Sequence, residues 1–361
     1  MNILASEPCW TDRWWSVAPD VGIYIGAGYL STAAIAPPAR RHRLEASHVE
    51  ALPEGVVVPS PVESNIRRPD IVIERLKAAV PAPKRRETAI SLPDAAVRVA
   101  ILELARVPVK RAEQEALFRH HLERLFLNPL GRCRFASQRL TPAGTGTQRV
   151  LVAAIHREIL EEYEAVVRAA GLRPSVVDLS AFHLFNLYGA QICDVLPPER
   201  RVVFLNLFDR NFTMIVADRN GPRLIRIKAF PGAVGETDLL ARVLAELDAS
   251  LRASDAAATG DEQPIERVFV FSDRPLDGLD QRVREDYHVE TVRLRSNEAE
   301  SPVGESMQGT GEPGPNGAAG SLTHGNGHAV TVALAAVGWR ARTGTNPEVS
   351  SPEAMSEALP R

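Results

Sequence analysis

The chain has 361 residues, 45% of them hydrophobic, enough to bury a substantial core and, by ordinary domain size, to divide into about two lobes. A net charge of -3, from 42 Lys+Arg against 45 Asp+Glu, lacks the basic excess of a nucleic-acid binder. Three scattered cysteines, Cys9, Cys133 and Cys193, argue against a disulfide framework or a zinc knuckle and fit a reducing compartment.

Residues 1–18 read as a flexible leader. Glu7, Asp12 and Arg13 interrupt it and no apolar stretch of a secretory signal is present, so an intracellular protein is expected. Trp10, Trp14 and Trp15 are expected to pack on the first sheet rather than touch a membrane. Val21 to Ile35 spells two apolar strands joined around Gly26-Ala27-Gly28, a β-hairpin. A polar strand over Arg41 to Glu50 follows, then a helix over Arg68 to Val80, with Ile71, Ile73, Leu76 and Val80 at helical spacing and Pro81 and Pro83 ending it.

Glu87 to Leu92 reads as a strand leading to Pro93, Ala95 to Leu104 as another, and Arg111 to Leu127 as a charged amphipathic helix. A strand ending at Leu140, a turn over Thr141 to Thr147 and a strand over Arg149 to Ile155 come next. The clearest helix is Arg157 to Ala170, with Ile159, Leu160, Tyr163, Val166 and Val167 on one face and Gly171 as its stop. This order predicts an α+β subdomain over residues 86–172, inserted into a first lobe of residues 19–85 and 173–197. The lobe resumes with a strand at Ser175 to Leu179 and a helix at Ser180 to Gly189, and Pro197-Pro198 closes it.

A second lobe, residues 198–295 and 327–341, opens as the first did. Strands over Arg201 to Val216 and Arg223 to Phe230 precede a helix from Glu236 to Arg252, a strand from Arg267 to Phe271, a helix from Asp277 to Asp286 and a strand from His288 to Leu294. Residues 296–326, rich in Gly, Ser, Glu and Pro, predict a disordered loop, and 342–361 a disordered tail. His328 to Arg340 reads as a small-residue helix. Its apolar run, the longest in the chain, falls short of the roughly 20 residues that cross a bilayer, so membrane contact is expected to be indirect, through a partner.

Leu151 to Leu179, with its strand LVAAIH, its helix REILEEYEAVVRAAG and its strand LRPSVVDL, closely resembles the PilM pilus-assembly family. Val21 to Gly26 resembles that family's opening V-G-I-D-I-G, Ser91-Leu92-Pro93 its S-L-P strand end, and Val202 to Val216 its second hairpin. The resemblance implies an α/β, two-lobed actin-like (ribonuclease H-like) fold with an inserted FtsA-type α+β subdomain. It also implies a partner, a PilN-like inner-membrane protein whose cytoplasmic segment docks on the insertion and first lobe and couples to the pilus motor complex. The expected location is the cytoplasm, peripheral to the inner membrane. Residues Ile90, Ser91, Leu92 and Pro93, taken as an edge, and the helix Arg111 to Leu127 are the candidate contacts.

Actin-like ATPases hold phosphates on two glycine-bearing hairpins, with an Asp in each orienting magnesium. Here Tyr24 stands at the first Asp position, and Asn206 and Phe208 at the second Asp and Gly positions. Ser272-Asp273-Arg274-Pro275 replaces the glycines of the adenosine region. Gly26, Ala27, Gly28 and Asp178 are the residues left to hold a nucleotide. Asp178 has the alternative role of capping the helix that follows it. A pseudo-ATPase scaffold with no catalytic residues, no metal and no cofactor is therefore expected, with ATP and magnesium disfavoured. The alternatives are an ATP-switched protein using those four residues and the cytoplasmic region of a type II secretion component. Other pairs point to no chemistry. His120-His121 and Glu161-Glu162 are adjacent and diverge by about 100° on a helix, while His324 and His328 border the polar loop and lack a third ligand.

Overall fold

The computed structural model describes residues 19–35, 44–80, 86–127, 129–140, 146–189, 191–192, 196–197, 199–230, 236–256, 263–274, 276–294 and 328–336. The leader with its three tryptophans, Cys9, Cys193, His324, the polar loop and the tail lie outside the described residues.

The first lobe is built on the hairpin β1 (Val21–Ile25) and β2 (Tyr29–Ile35), with β3 (Leu44–Ala51) completing an antiparallel meander. Helix α1 (Pro69–Ala79), with proline in its first turn, crosses to β4 (Glu87–Leu92), which runs parallel to β1. After the insertion, β8 (Arg173–Leu179) lies parallel to β4, giving the sheet order β3-β2-β1-β4-β8. Helix α4 (Ser180–Leu187) leads out of the lobe.

The second lobe repeats this plan. An antiparallel meander, β9 (Arg201–Leu207), β10 (Asn211–Asp218) and β11 (Gly221–Ala229), is followed by α5 (Glu236–Ala256), β12 (Ile265–Ser272), α6 (Leu279–Tyr287) and β13 (Glu290–Arg293). The order β11-β10-β9-β12-β13 matches the first sheet strand for strand. Period-two alternation sends Val203, Leu205, Val268 and Val270 toward α5 and α6, and Val202, Phe204, Phe269 and Phe271 toward the first lobe. Both faces are covered, which is why these strands read as continuous apolar runs.

The insertion holds β5 (Arg98–Leu104), α2 (Arg111–Phe126), β6 (Cys133–Leu140) and β7 (Gln148–His156) in an antiparallel sheet of order β5-β7-β6. Phe118 and Leu122 of α2 pack on one face of it. Buried Arg149 on β7 donates to the Pro222 carbonyl of β11, tying the insertion to the second lobe as well. Helix α3 (Arg157–Ala169) returns the chain and buries the five residues its periodicity singled out, Ile159, Leu160, Tyr163, Val166 and Val167.

Two expectations need correction. Glu87–Leu92 was assigned to the insertion, yet β4 is the strand between β1 and β8 in the first lobe's sheet, and the insertion starts only after it. Ile90, Ser91, Leu92 and Pro93 therefore form no edge. They are buried, and the ladder positions of β4 are taken on both sides, so no partner strand can add there. Also, Asp94–Ala96 is a single 3-10 turn and β5 begins at Arg98.

Candidate functional site

Among the described residues, polar groups gather at the junction of the lobes and in a groove between the insertion and α3.

At the junction the two β-hairpins face each other. The first turns through Gly26-Ala27-Gly28, closed by the Gly26 amide donating to the Tyr29 carbonyl at 2.9 Å. The second turns through Asp209 and Arg210, at φ 51° and 62°, with the Asn211 amide donating to the Phe208 carbonyl at 3.0 Å. Consecutive positive φ values make this a type I′ turn, the twist-matched connection for adjacent antiparallel strands. Asn211 braces it by donating through Nδ2 to the Asp209 carbonyl at 3.0 Å.

Asp209 crosses the gap between the lobes. Its carboxylate accepts from the Tyr24 hydroxyl at 2.8 Å and from the Gly28 amide at 2.8 Å. Its own amide donates to Asp273 Oδ2 at 3.1 Å. Burial pushes the Asp209 carboxyl up to about 7 against the pull of these donors, and burial raises Asp273 and Tyr24 as well. Beside this contact Phe208 fills the cleft. Its ring lies 5.1 Å from Tyr24, 6.0 Å from Tyr29 and 6.1 Å from Phe271, and Phe271 in turn meets His328 at 5.0 Å. The adjoining cavity, bounded by Leu207, Arg210, Phe230 and Asp273, has a volume of about 20 Å³, the room of one water molecule.

A second carboxylate, Asp94, binds the lobes on the other side of Asn206. From the turn after β4 it accepts from Ser180 Oγ at 2.8 Å and the Ala181 amide at 2.9 Å at the start of α4. From the second lobe it accepts from Asn206 Nδ2 at 2.9 Å and Thr213 Oγ1 at 2.7 Å. All four lone-pair directions are used, which is how a fully buried carboxylate is tolerated although burial raises its pKa. Asp94 thus holds the α4 amide that Asp178 was a candidate to cap. Among the described residues Asp178 bonds its neighbour, the Leu179 amide, at 2.8 Å, and burial pushes it up to about 7.

Of the four residues left to hold a nucleotide, the structure brings Gly26, Ala27 and Gly28 against Asp209 and sets Asp178 apart from them, near Asp94. Sequence reasoning missed both Asp94 and Asp209. The one available signal was Phe208-Asp209-Arg210-Asn211 between two apolar runs, where an acidic residue at a turn reads as ordinary turn chemistry.

The groove has a volume of about 610 Å³. One wall is the first turns of α2, with Arg111, Ala112 and Glu115. The other is α3, with Arg157, Leu160, Glu161 and Glu164, and the floor is Cys133 and Arg134 at the start of β6. Strand β6 is an outer strand of its sheet, so one backbone edge faces away from β7. Burial pushes the Cys133 thiol up to about 11.

The family model of the type IV pilus assembly protein PilM matches residues 22–234, more than half of the sequence. The chain belongs to the PilM family. Among solved structures, the PilM-PilN type IV pilus biogenesis complex contains a chain that matches with a TM-score of 0.65 at 19% identity, over 88% of this chain and 98% of that one. The cytoplasmic domain of EpsL, an inner-membrane component of the type II secretion system of Vibrio cholerae, matches at 0.44 and 11% identity, over 90% and 95% of the two chains. A Bacteroides thetaiotaomicron protein with an actin-like ATPase fold matches at 0.44 and 10%, over 77% and 91%. No curated protein matches the sequence. The fold of this PilM-family chain is the two-lobed actin-like α/β fold that the resemblance implied. No helix among the described residues is long and apolar enough to cross a membrane.

Proposed function

We propose that this PilM-family protein is a cytoplasmic scaffold of type IV pilus assembly or a related secretion machine. Its groove between α2 and α3 receives the cytoplasmic segment of a PilN-like inner-membrane protein, which holds it at that membrane. The observation that carries this reading is the groove itself: 610 Å³ at the junction of insertion and first lobe, beside the outer edge of β6. An extended segment lying there can pair with the β6 backbone while α2 and α3 contact its side chains. The solved complex of a PilM with PilN supports a partner of this class.

In this reading the protein is a pseudo-ATPase. The residues at the cleft do not fit a magnesium nucleotide: Phe208 occupies the space beside the first hairpin, the Gly28 amide of that hairpin serves Asp209, and Asn206 is committed to Asp94. No catalytic step is assigned to this cleft.

The test is recruitment to membranes with and without the adjacent pilus protein. Wild-type chain is expected in the membrane fraction only when that protein is present. Ala112→Trp, which fills the groove from an exposed position, should weaken binding about tenfold or more without lowering the melting temperature. Recruitment that ignores the partner would sink the scaffold reading. A thermal shift with millimolar magnesium ATP would bring back the ATP-switched alternative, since any ligand of the native state stabilises it by mass action.

A further inference from the structure

We infer that Asp209 is a built-in anionic ligand: its carboxylate occupies the anion cradle of the first hairpin and holds the two lobes closed without any bound molecule. This deepens the reading that the cleft takes no nucleotide and rests on it.

The first hairpin presents two donors to one point, the Gly28 amide of its turn and the Tyr24 hydroxyl of its strand. In this chain that point is filled from the other lobe, across 181 residues of sequence, by the Asp209 carboxylate, bound to the Gly28 amide and to the Tyr24 hydroxyl. Two features show the fit was made for a carboxylate. Tyr24 supplies a second donor beside the Gly28 amide, where an acidic side chain would supply a repelling charge. Gly26 adopts no left-handed φ, so its lack of a side chain serves space alone: an added Cβ would overlap Asp209 Oδ2 and the Tyr24 hydroxyl. The carboxylate also gains a fixed approach from its own turn, braced by Asn211 and by the Asp273 bond to the Asp209 amide. Here one hairpin carries the ligand of the other, so the closed form is the resting form.

Chemical rescue tests this on the full-length chain. Asp209→Ala leaves the cradle donors in place and removes only the anion. Hydrogen exchange at the Gly28 amide should quicken about tenfold or more in the variant. Sodium formate, which supplies a free carboxylate, should restore its protection and raise the melting temperature of the variant relative to sodium chloride at the same ionic strength. Wild-type protein should gain nothing from formate. Exchange at the Gly28 amide as slow in the variant as in the wild type, or a formate effect equal in both, would overturn the inference. Should Asp209→Ala fail to fold, Tyr24→Phe, which deletes one donor, decides by the same exchange measurement: faster exchange supports the inference and unchanged exchange overturns it. The outcomes separate from those of the pseudo-ATPase reading. Magnesium ATP binding by the wild type refutes that reading, whereas absence of formate rescue refutes only the role given to Asp209.

Discussion

Replacing Gly26 by alanine should break the junction of the lobes from a single methyl group. A Cβ at this position would lie 2.5 Å from Tyr24 Cε1 and nearer still to the Tyr24 hydroxyl and Asp209 Oδ2, against an ordinary contact distance of 3.4 Å or more. Tyr24 is buried on all sides, so the carboxylate must withdraw by about an ångström or more, and its 2.8 Å bonds to Tyr24 and Gly28 then stretch past hydrogen-bond range. Two bonds to a charged group at roughly 1.5–3 kcal/mol each set the loss at about 3–6 kcal/mol. Uptake of a proton by Asp209, already pushed up to about 7, limits the loss to the lower part of that range. At roughly 2–4 °C per kcal/mol for a domain of 150–250 residues, the melting temperature should fall by about 10 °C. Urea unfolding beside two internal controls measures this. Gly28→Ala places its Cβ 3.0 Å from Asp209 Oδ1, close enough to need a small shift only, and Gly131→Ala meets nothing within 4 Å. The expected order of stability is Gly131→Ala, then Gly28→Ala, then Gly26→Ala. A Gly26→Ala protein within about 1 kcal/mol of wild type would refute the claim that the cradle is filled to contact.

Asn206→Asp, the substitution that recreates the family's acidic residue, should cost about 3 kcal/mol at pH 8 and less at pH 5, because it sets a second carboxylate where Asn206 Nδ2 now lies 2.9 Å from Asp94 Oδ2 and only a shared proton relieves the repulsion. Denaturant midpoints at the two pH values check this, and a stability gain at pH 8 would contradict it. Asp178, raised from an ordinary 3.8 to about 7 by burial, holds its proton more tightly folded than unfolded, so its contribution is most favourable below about pH 4, declines as pH rises to about 7 and is constant above. Asp178→Asn should therefore gain on wild type between pH 5 and pH 8; parallel pH profiles for the two proteins would show the assignment to be wrong. Cys133, pushed up to about 11 from 9.0, should be alkylated in the native protein at pH 8 about a hundredfold more slowly than after unfolding, as read by site-mapped mass spectrometry.

Much of the architecture could be read from one sequence because its signals are local. The hairpin at Val21 to Ile35, the apolar stripe of α3 and its stop at Gly171 each arise within a dozen residues or so, where periodicity and turn chemistry operate. What escaped was whatever depends on which strands become neighbours. An apolar strand ending in Ser91-Leu92-Pro93 reads the same at the centre of a sheet as at its margin, and only the pairing with both β1 and β8 decides. Asp94 meets groups from residues 180, 181, 206 and 213, and Asp209 meets groups from residues 24 and 28, contacts that no spacing rule spans. The degenerate positions Tyr24, Asn206 and Phe208 were visible as departures from a pattern. Their common purpose, a junction made by side chains, was not.

The place of β4 has a mechanical meaning. The chain leaves the first lobe for the insertion from the C-terminal end of this strand, just beyond Leu92, and regains the sheet at Arg173. A tug on the insertion reaches the body at its leaving end through a strand flanked by β1 on one side and β8 on the other, where both ladders must slide together before it yields, and at its returning end through β8, the outer strand of the sheet. Such shear loading spreads force over many hydrogen bonds at once, where a strand at the margin would peel away bond by bond. The two attachments of the insertion thus differ in kind, one set between two ladders and the other on the outer strand.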